Sequence, residues 1–422
     1  MNQAQRVQKL EVLKKGTPYT HEDVVYKGSK RLLPVYQIDT SFLIYNKYNG
    51  RILSMVKSFE RQFRKLDPEA ETDKAVIEGF LWDSKEDRNK ATLDDLKEYG
   101  QKRVGIVTRD GIIIDGNRRA SLLNRLGKER KTAPIYFNAV ILEDTLDDNP
   151  REVMRLETTY QMGEDEKLDY NPIEKYLKCK DLVQLGFTAA EIGKMMRQSE
   201  SQIEDWLSIM SLMDNYLNDL GYTGIYTRLD KREGQFVDLN KYLRRYDGGS
   251  SMPDWGYDTS DISDLKAVCF DYIRAQYEGK EFRAIAQPSK KDSFFCKKKV
   301  WDKFRDDHFK HIDEINKNEL SITELTKREP NGDLSEILKV RDEDWANKSY
   351  KTLQNNLSKS QRELDDIIEE NEPRILLSRA RETLESINPE SDAFHTDPDV
   401  PRLVNDIAKI ITDLQKIIKN KV

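Results

Sequence analysis

The sequence predicts an α+β protein: a small α/β domain, then a helix-turn-helix, then a mostly helical C-terminal half. Three observations lead there. Between residues 30 and 145, β-branched runs alternate with polar turns around a single helical stretch. From Asn171 onward, apolar residues recur at helical spacing behind capping residues. Finally, 422 residues with 35% charged and 37% hydrophobic side chains are too many for one core and unusually polar, which suits a helix-rich chain of several domains.

The first strand signal is LLPVYQIDTSFLIYN from Leu32, an apolar run closed by the polar turn NKYNGR. Residues 52–103 read as mostly helical. Within them TLDDLKEYG (92–100) places Thr92 to cap, Leu93 and Leu96 to pack, and Gly100 to terminate. RVGIVTRDGIIIDG reads as a hairpin, two β-branched runs joined by Arg109-Asp110-Gly111. APIYFNAVILED supplies another strand, Ile135 to Leu142, and between hairpin and strand one helix runs from Arg118 to about Leu126, stopped by Gly127.

Beyond Asn171, NPIEKYLKCKDLVQLGFTAAEIGKMMRQSESQIEDWLSIMSLM carries two capping boxes, Thr188-x-x-Glu191 and Ser199-x-x-Gln202. Three helices separated by Gly186-Phe187 and Arg197-Gln198 have helix-turn-helix spacing. YDGGSSMPDWGYDTSD (246–261) reads as a linker or long loop, and residues 262–345 as helical. The final portion is helical again, interrupted at Pro373 and by NPESDAFHTDPDVP (388–401). Its last helix aligns Val404, Ile407, Ile410, Ile411, Leu414, Ile417 and Ile418 in one apolar stripe, a bundle face or a seam for a second copy. The domain division expected is 1–150, 151–220, 221–345 and 346–422.

A net charge of −6, from 70 basic against 76 acidic residues, gives no whole-chain attraction to nucleic acid, so any such binding must come from local patches. Cys179, Cys269 and Cys296 follow no disulfide framework, which fits a reducing cytoplasm. The start, MNQAQRVQKLEVLKK, lacks a signal-peptide core, and no run approaches the roughly 18 apolar residues of a membrane span. A cytoplasmic protein without membrane partners is expected.

GIIIDGNRRASLLNRLG (111–127) poses the functional question. Ile112, Ile113 and Ile114 suit a buried strand, Gly116 a sharp turn, and Leu122, Leu123 and Leu126 the packing face of the helix. Packing does not explain Arg118 and Arg119. Cations in a first helical turn oppose the helix dipole, at about 0.3–1 kcal/mol each. An anion there reverses the sign, because backbone N–H groups and guanidinium forks converge on it. The bland alternative is that both arginines are solvated or paired with a neighbour such as Asp115.

DGNRRASLLNRLG resembles the Gly-Glu-Arg-Arg helix of the ParB N-terminal domain, which shares its fold with sulfiredoxin. LDDLKEYGQKRVGIVTRDGIIIDGNRR resembles the ParB run from a small helix through a hairpin into the arginine turn, and YNKYNGR its Asn/Gln-Pro-Arg segment, with Arg51 as the arginine. LETTYQMGEDEKLDYNPIEKY is similar to the Glu-Asn-x-x-Arg segment and the start of the family's helical DNA-binding domain. The resemblance covers about residues 30–215. It implies a ParB/sulfiredoxin-like domain of prokaryotic origin that binds a nucleoside triphosphate, CTP or ATP, with magnesium, and couples that state to DNA. The nucleotide set it implies is Arg51, Asp115, Gly116, Asn117, Arg118, Arg119, Thr158 and Gln161. Arg118 and Arg119 would sit at phosphates, Thr158 near hydrated magnesium, and Glu157 on the metal as the catalytic residue of a slow hydrolysis. The chain departs from the family at Asn117, where Glu is usual, at Thr158 in place of Asn, and at Gln161 near the Arg position. Other branches of the fold imply rivals: a nuclease or NTPase in phage defence or DNA modification, or a protein-interaction scaffold that has lost its ligand.

Two stretches are candidates for DNA. The presumed recognition helix offers Arg197, Ser199, Ser201 and Gln202, yet residues 171–214 hold five basic against seven acidic side chains, poor for displacing phosphate counterions. KKDSFFCKKKVWDKFR (290–305) is more basic, with Lys297, Lys298 and Lys299 among seven cations and Phe294, Phe295, Trp301 and Phe304 interleaved to stack bases. These aromatics at helical spacing also suit a core. His308 and His311, with Cys296 upstream, make too loose a set for zinc and read as surface residues. The oligomeric state stays open, with a homodimer or a partner protein as expected company.

Overall fold

The computed structural model describes residues 1–131, 134–163, 170–248, 253, 255–288, 293–328 and 334–419. The chain divides into two compact units, Met1–Asn356 and Leu357–Val422. The first unit opens with α1 (Gln3–Lys14), β1 (Thr20–Tyr26), β2 (Ser29–Asp39) and β3 (Ile44–Tyr45). Helices α2 (Leu53–Gln62), α3 (Glu71–Asp83) and α4 (Glu86–Tyr99) follow, then β4 (Gly105–Val107), β5 (Ile112–Asp115), α5 (Asn117–Arg130) and β6 (Tyr136–Ile141). Helix α6 (Pro150–Thr158) runs into a π-helical turn, Thr159–Gly163.

These strands form one six-stranded mixed sheet in the order β1-β2-β6-β4-β5-β3. The β4–β5 hairpin is antiparallel, as its turn residues predict, whereas β4 pairs with β6 and β3 with β5 in parallel. Successive strand residues point to opposite faces, and here both faces of the central strands are covered. Val107, Ile113 and Ala139 join a core with Leu10, Ile52, Val56 and Ile77 from the helices on one side. Their neighbours Ile106, Ile114 and Val140 join Val153 and Leu156 of α6 on the other. Burial on both faces is why the strands read as unbroken apolar runs.

Several local expectations are corrected. Thr92 is no cap: α4 begins at Glu86, and the Thr92 hydroxyl donates to the Arg88 carbonyl at 2.8 Å inside the helix. Gly127 does not stop α5, which passes through it to Arg130 and ends on Lys131 in the left-handed region. Gly127 is buried within the helix, where glycine costs roughly 1 kcal/mol relative to alanine.

Next come α7 (Pro172–Gln184), α8 (Ala189–Met196) and α9 (Glu200–Asp219), with the helix-turn-helix spacing read from sequence. Thr188 and Glu191 form the full capping box, while Ser199 accepts from the Gln202 amide at 3.1 Å. Cys179, Leu182, Phe187, Ile192, Met195 and Ile203 close the small core. A 3-10 turn (Tyr226–Leu229) leads to α10 (Glu233–Asp247), α11 (Thr259–Arg274), α12 (Glu281–Ala286), α13 (Lys298–Asn316) and α14 (Ile322–Arg328). The described part of the expected 246–261 linker is bound down: Trp255 Nε1 donates to the Phe295 carbonyl at 2.9 Å and the Tyr257 hydroxyl to the Tyr246 carbonyl at 3.0 Å.

Helix α15 (Leu334–Glu385) runs straight through Pro373, which was expected to interrupt it. The second unit contains the end of α15, α16 (Asp392–Thr396) and α17 (Val400–Lys419). Within the second unit, Val404, Ile410, Ile411, Leu414, Ile417 and Ile418 are exposed along α17. Within the unit of residues 1–356, ion pairs of Asp181 with Lys57 and of Lys178 with Glu157 join α7 to the sheet domain. Among the described residues no helix is long and apolar enough to cross a membrane.

Candidate phosphate site

The site is built where β5 turns into α5. Gly116 has φ +100°, and a Cβ on it would lie 2.6 Å from Cζ of Phe137, so both conformation and space demand glycine. It is the N-cap of α5 and has no side chain to occupy the first-turn N–H groups. Asn117, the first helical residue, turns inward. Its Oδ1 accepts from the Asn46 amide at 2.9 Å and its Nδ2 donates to the Ile113 carbonyl at 2.8 Å. Its side chain braces the β3 and β5 ends, and the residue lines the cleft at this helix end.

Arg118 and Arg119 line one cleft of ≈ 770 Å³ at this helix end, together with Arg51, Lys102, Arg103, Asp115, Gly116 and Gln161. The lining carries five basic side chains against three acidic ones, Glu22, Asp95 and Asp115. Acidic neighbours of these cations include Asp115 and Asp95. Arg119 Nη2 pairs with Asp115 at 2.6 Å while its Nη1 donates to the Arg103 carbonyl at 2.8 Å, and Lys102 pairs with Asp95 at 2.9 Å. The guanidinium of Arg51 lies 4.4 Å from the Tyr170 ring centroid. Lys102 and Arg103 escaped the sequence reading, although a basic pair directly after the α4-terminating Gly100 was a visible signal.

Glu157 and Thr158 are not at this cleft. Glu157 is fully buried, accepts from the Gly50 amide at 3.2 Å and forms an ion pair with the equally buried Lys178. With its charge committed there, it fits neither the expected metal ligand nor a catalytic group. The Thr158 hydroxyl donates to the Met154 carbonyl at 2.8 Å and is fully buried. Gln161 lines the cleft, but its Nε2 is committed to the Ile114 carbonyl at 2.8 Å. Among the described residues no cluster of three or more His, Cys, Asp or Glu side chains could hold a metal ion. Glu157 and Thr158 therefore do not supply the expected magnesium ligands, while the cations gathered at the helix N-terminus suit an anion.

Of the DNA candidates, Arg197 and Ser201 are exposed at the α8–α9 turn, Gln202 is half-buried, and the Ser199 hydroxyl is occupied in capping. The acidic Asp205 farther along α9 pairs with Arg244. The basic aromatic segment is corrected more sharply. Phe294, Phe295, Trp301 and Phe304 are fully buried and touch one another, Phe295 and Trp301 at 5.1 Å and Phe294 and Phe304 at 4.9 Å between ring centroids. They are core and present no surface for stacking bases. Lys297 is half-buried and Lys298 and Lys299 are exposed, with Lys298 paired to Asp302 at 3.0 Å; Lys290 and Lys291 lie outside the described residues. His308, read as a surface residue, is buried with Nε2 2.9 Å from Asp271 Oδ2. Neither the known protein-family models nor the curated proteins include a match to this chain.

Proposed function

We propose that the cleft at the start of α5 binds the phosphates of a nucleoside triphosphate, CTP or ATP, and that the bound state is passed to the helix-turn-helix layer for association with DNA. One observation carries this reading. Arg51, Arg103, Arg118 and Arg119 come from three separate stretches of chain and line a single cleft at a helix N-terminus that has no side-chain cap. A phosphate there gains the helix dipole and charge-assisted bonds from guanidinium forks at once. The likeness to ParB proteins in motif order supports a nucleotide over a simpler anion.

The reading is of a binding switch. Glu157 is committed to Lys178 outside the cleft, and of the cleft's own carboxylates Asp95 and Asp115 are paired with Lys102 and Arg119, which favours binding over hydrolysis. DNA would meet the exposed Arg197 and Ser201 at the start of α9, through phosphates more than base edges. Titration calorimetry with CTP and ATP, on the wild type and Arg118→Ala, tests the cleft. The expected result is heat in the wild type and affinity roughly 10- to 100-fold lower in the variant, the worth of one or two charged hydrogen bonds. Equal absence of heat in both proteins would leave the interaction-scaffold reading in its place. Fluorescence anisotropy on duplex DNA, with and without nucleotide, tests the second half of the proposal.

A further inference from the structure

Helix α7 turns one face towards the sheet domain. Glu174, Lys178 and Asp181 stand at i, i+4 and i+7 and so share that face. All three reach residues 48–57, the stretch that carries Arg51 to the cleft. Glu174 serves α2 as a cap from another helix, since Ile52 at the α2 N-cap has no side chain able to accept. Its two oxygens accept from the Ser54 amide at 3.2 and 3.1 Å, and the Ser54 hydroxyl donates to it at 2.5 Å. Lys178 donates to the Tyr48 carbonyl at 3.4 Å and pairs with Glu157, which in turn accepts from the Gly50 amide at 3.2 Å. Asp181 pairs with Lys57 at 2.9 Å. The turn before Arg51 and the helix after it are thus held by one face of α7, whose other neighbours include α8 and α9.

We infer that α7 is the lever of the site: its three polar side chains set where Arg51 stands, so that a phosphate ligand and the helix-turn-helix bias one shared arrangement. This rests on the phosphate reading of the cleft. Coupling of this kind is reciprocal, because whatever α7 does to affinity in the cleft, the ligand does to the position of α7.

The experiment follows amide hydrogen exchange by mass spectrometry on the full chain, with and without CTP or ATP and magnesium, alongside calorimetric titration of variants outside the cleft. Slowed exchange in residues 117–122 and also in 172–184 is the expected result. Asp181→Lys, at a partly exposed ion pair, is expected to weaken nucleotide affinity by about fivefold or more. Adding Lys57→Asp should restore it to within about twofold. Slowed exchange at 117–122 with α7 unchanged, and Asp181→Lys binding as the wild type does, would overturn the lever while leaving the phosphate site standing. No change at 117–122 with either nucleotide would overturn the phosphate reading, and the lever with it.

Discussion

Lys178→Met is the most severe single test of how the site is held. The Lys178 and Glu157 side chains are 0% and 1% exposed, so neither charge reaches water. Removing the ammonium leaves the Glu157 carboxylate buried against the Gly50 amide, which donates to it at 3.2 Å. Breaking one side of a buried pair costs about 3–5 kcal/mol, because the surviving charge stays desolvated. Set against a total stability of roughly 5–15 kcal/mol, that is a large fraction of the whole. With an m value of about 3 kcal/mol per M, the urea midpoint should fall on the order of 1–2 M. Glu157→Gln with Lys178→Met removes both charges and should recover most of the loss, since the cost lies in the uncompensated ion. Urea melts of wild type, both single variants and the double variant at pH 7, followed by circular dichroism, measure this directly. A single variant within about 1 kcal/mol of wild type, or a double variant as damaged as the single, would refute the reasoning.

Three further outcomes are expected. Burial pushes the Glu174 carboxyl up to about 7 against the opposing hydrogen bonds from Ser54, so the folded chain holds this proton more tightly than the unfolded one. Its contribution is therefore full below about pH 4.5 and lost as pH rises to about 7, on the order of 3 kcal/mol in all; Glu174→Gln should lack that slope, and parallel stability-against-pH curves would contradict it. Gly116→Ala forces a left-handed φ on alanine and drives Cβ onto Phe137, which should cost about 2 kcal/mol or more in a thermal or urea melt; indifference to the change would mean the turn is not as described. Trp301→Ala should cost about 3–5 kcal/mol by urea melt, as for a large core side chain, whereas an unperturbed fold would return the aromatic segment to the surface.

How much of this was legible in the sequence depends on how local each signal is. The β4–β5 hairpin and β6 were readable because burial on both sheet faces leaves continuous apolar runs. β1 left no such trace, since an edge strand with the burial of THEDVVY exposes five of its seven residues. Thr92 was misread because a threonine ahead of apolar spacing looks the same whether it caps a helix or bonds back to the residue four before it. The 290–305 segment failed for a related reason. Aromatics at helical spacing are identical in composition for a core and for a stacking surface, and only burial separates them. The cleft was half legible: the arginine turn announced itself and the motif resemblance pointed to Arg51, but that Lys102 and Arg103 line the same cleft depends on tertiary approach, which their basic pair after Gly100 signals only in part. The pairing of Glu157 with Lys178 lay equally out of reach, and it alone turns an expected metal ligand into a structural charge.

The ion pair between Arg119 and Asp115 first looks like the bland explanation for the arginines, yet its energetics favour a ligand. Both side chains keep partial exposure, 17% and 24%, so solvent screens the pair and it is worth about 0–1 kcal/mol. A phosphate in the cleft offers charge-assisted bonds of about 1.5–3 kcal/mol each, adds the dipole of α5, and leaves Asp115 at the edge of a cleft where water can solvate it. The pair also accounts for how the fold tolerates cations in a first helical turn, because Asp115 offsets part of the charge that the dipole opposes. On this reasoning Asp115→Asn should tighten phosphate binding while lowering the stability of the ligand-free protein. A pair that simply locked Arg119 into the fold would give the opposite sign for binding, since the loosened guanidinium would then be lost from the cleft.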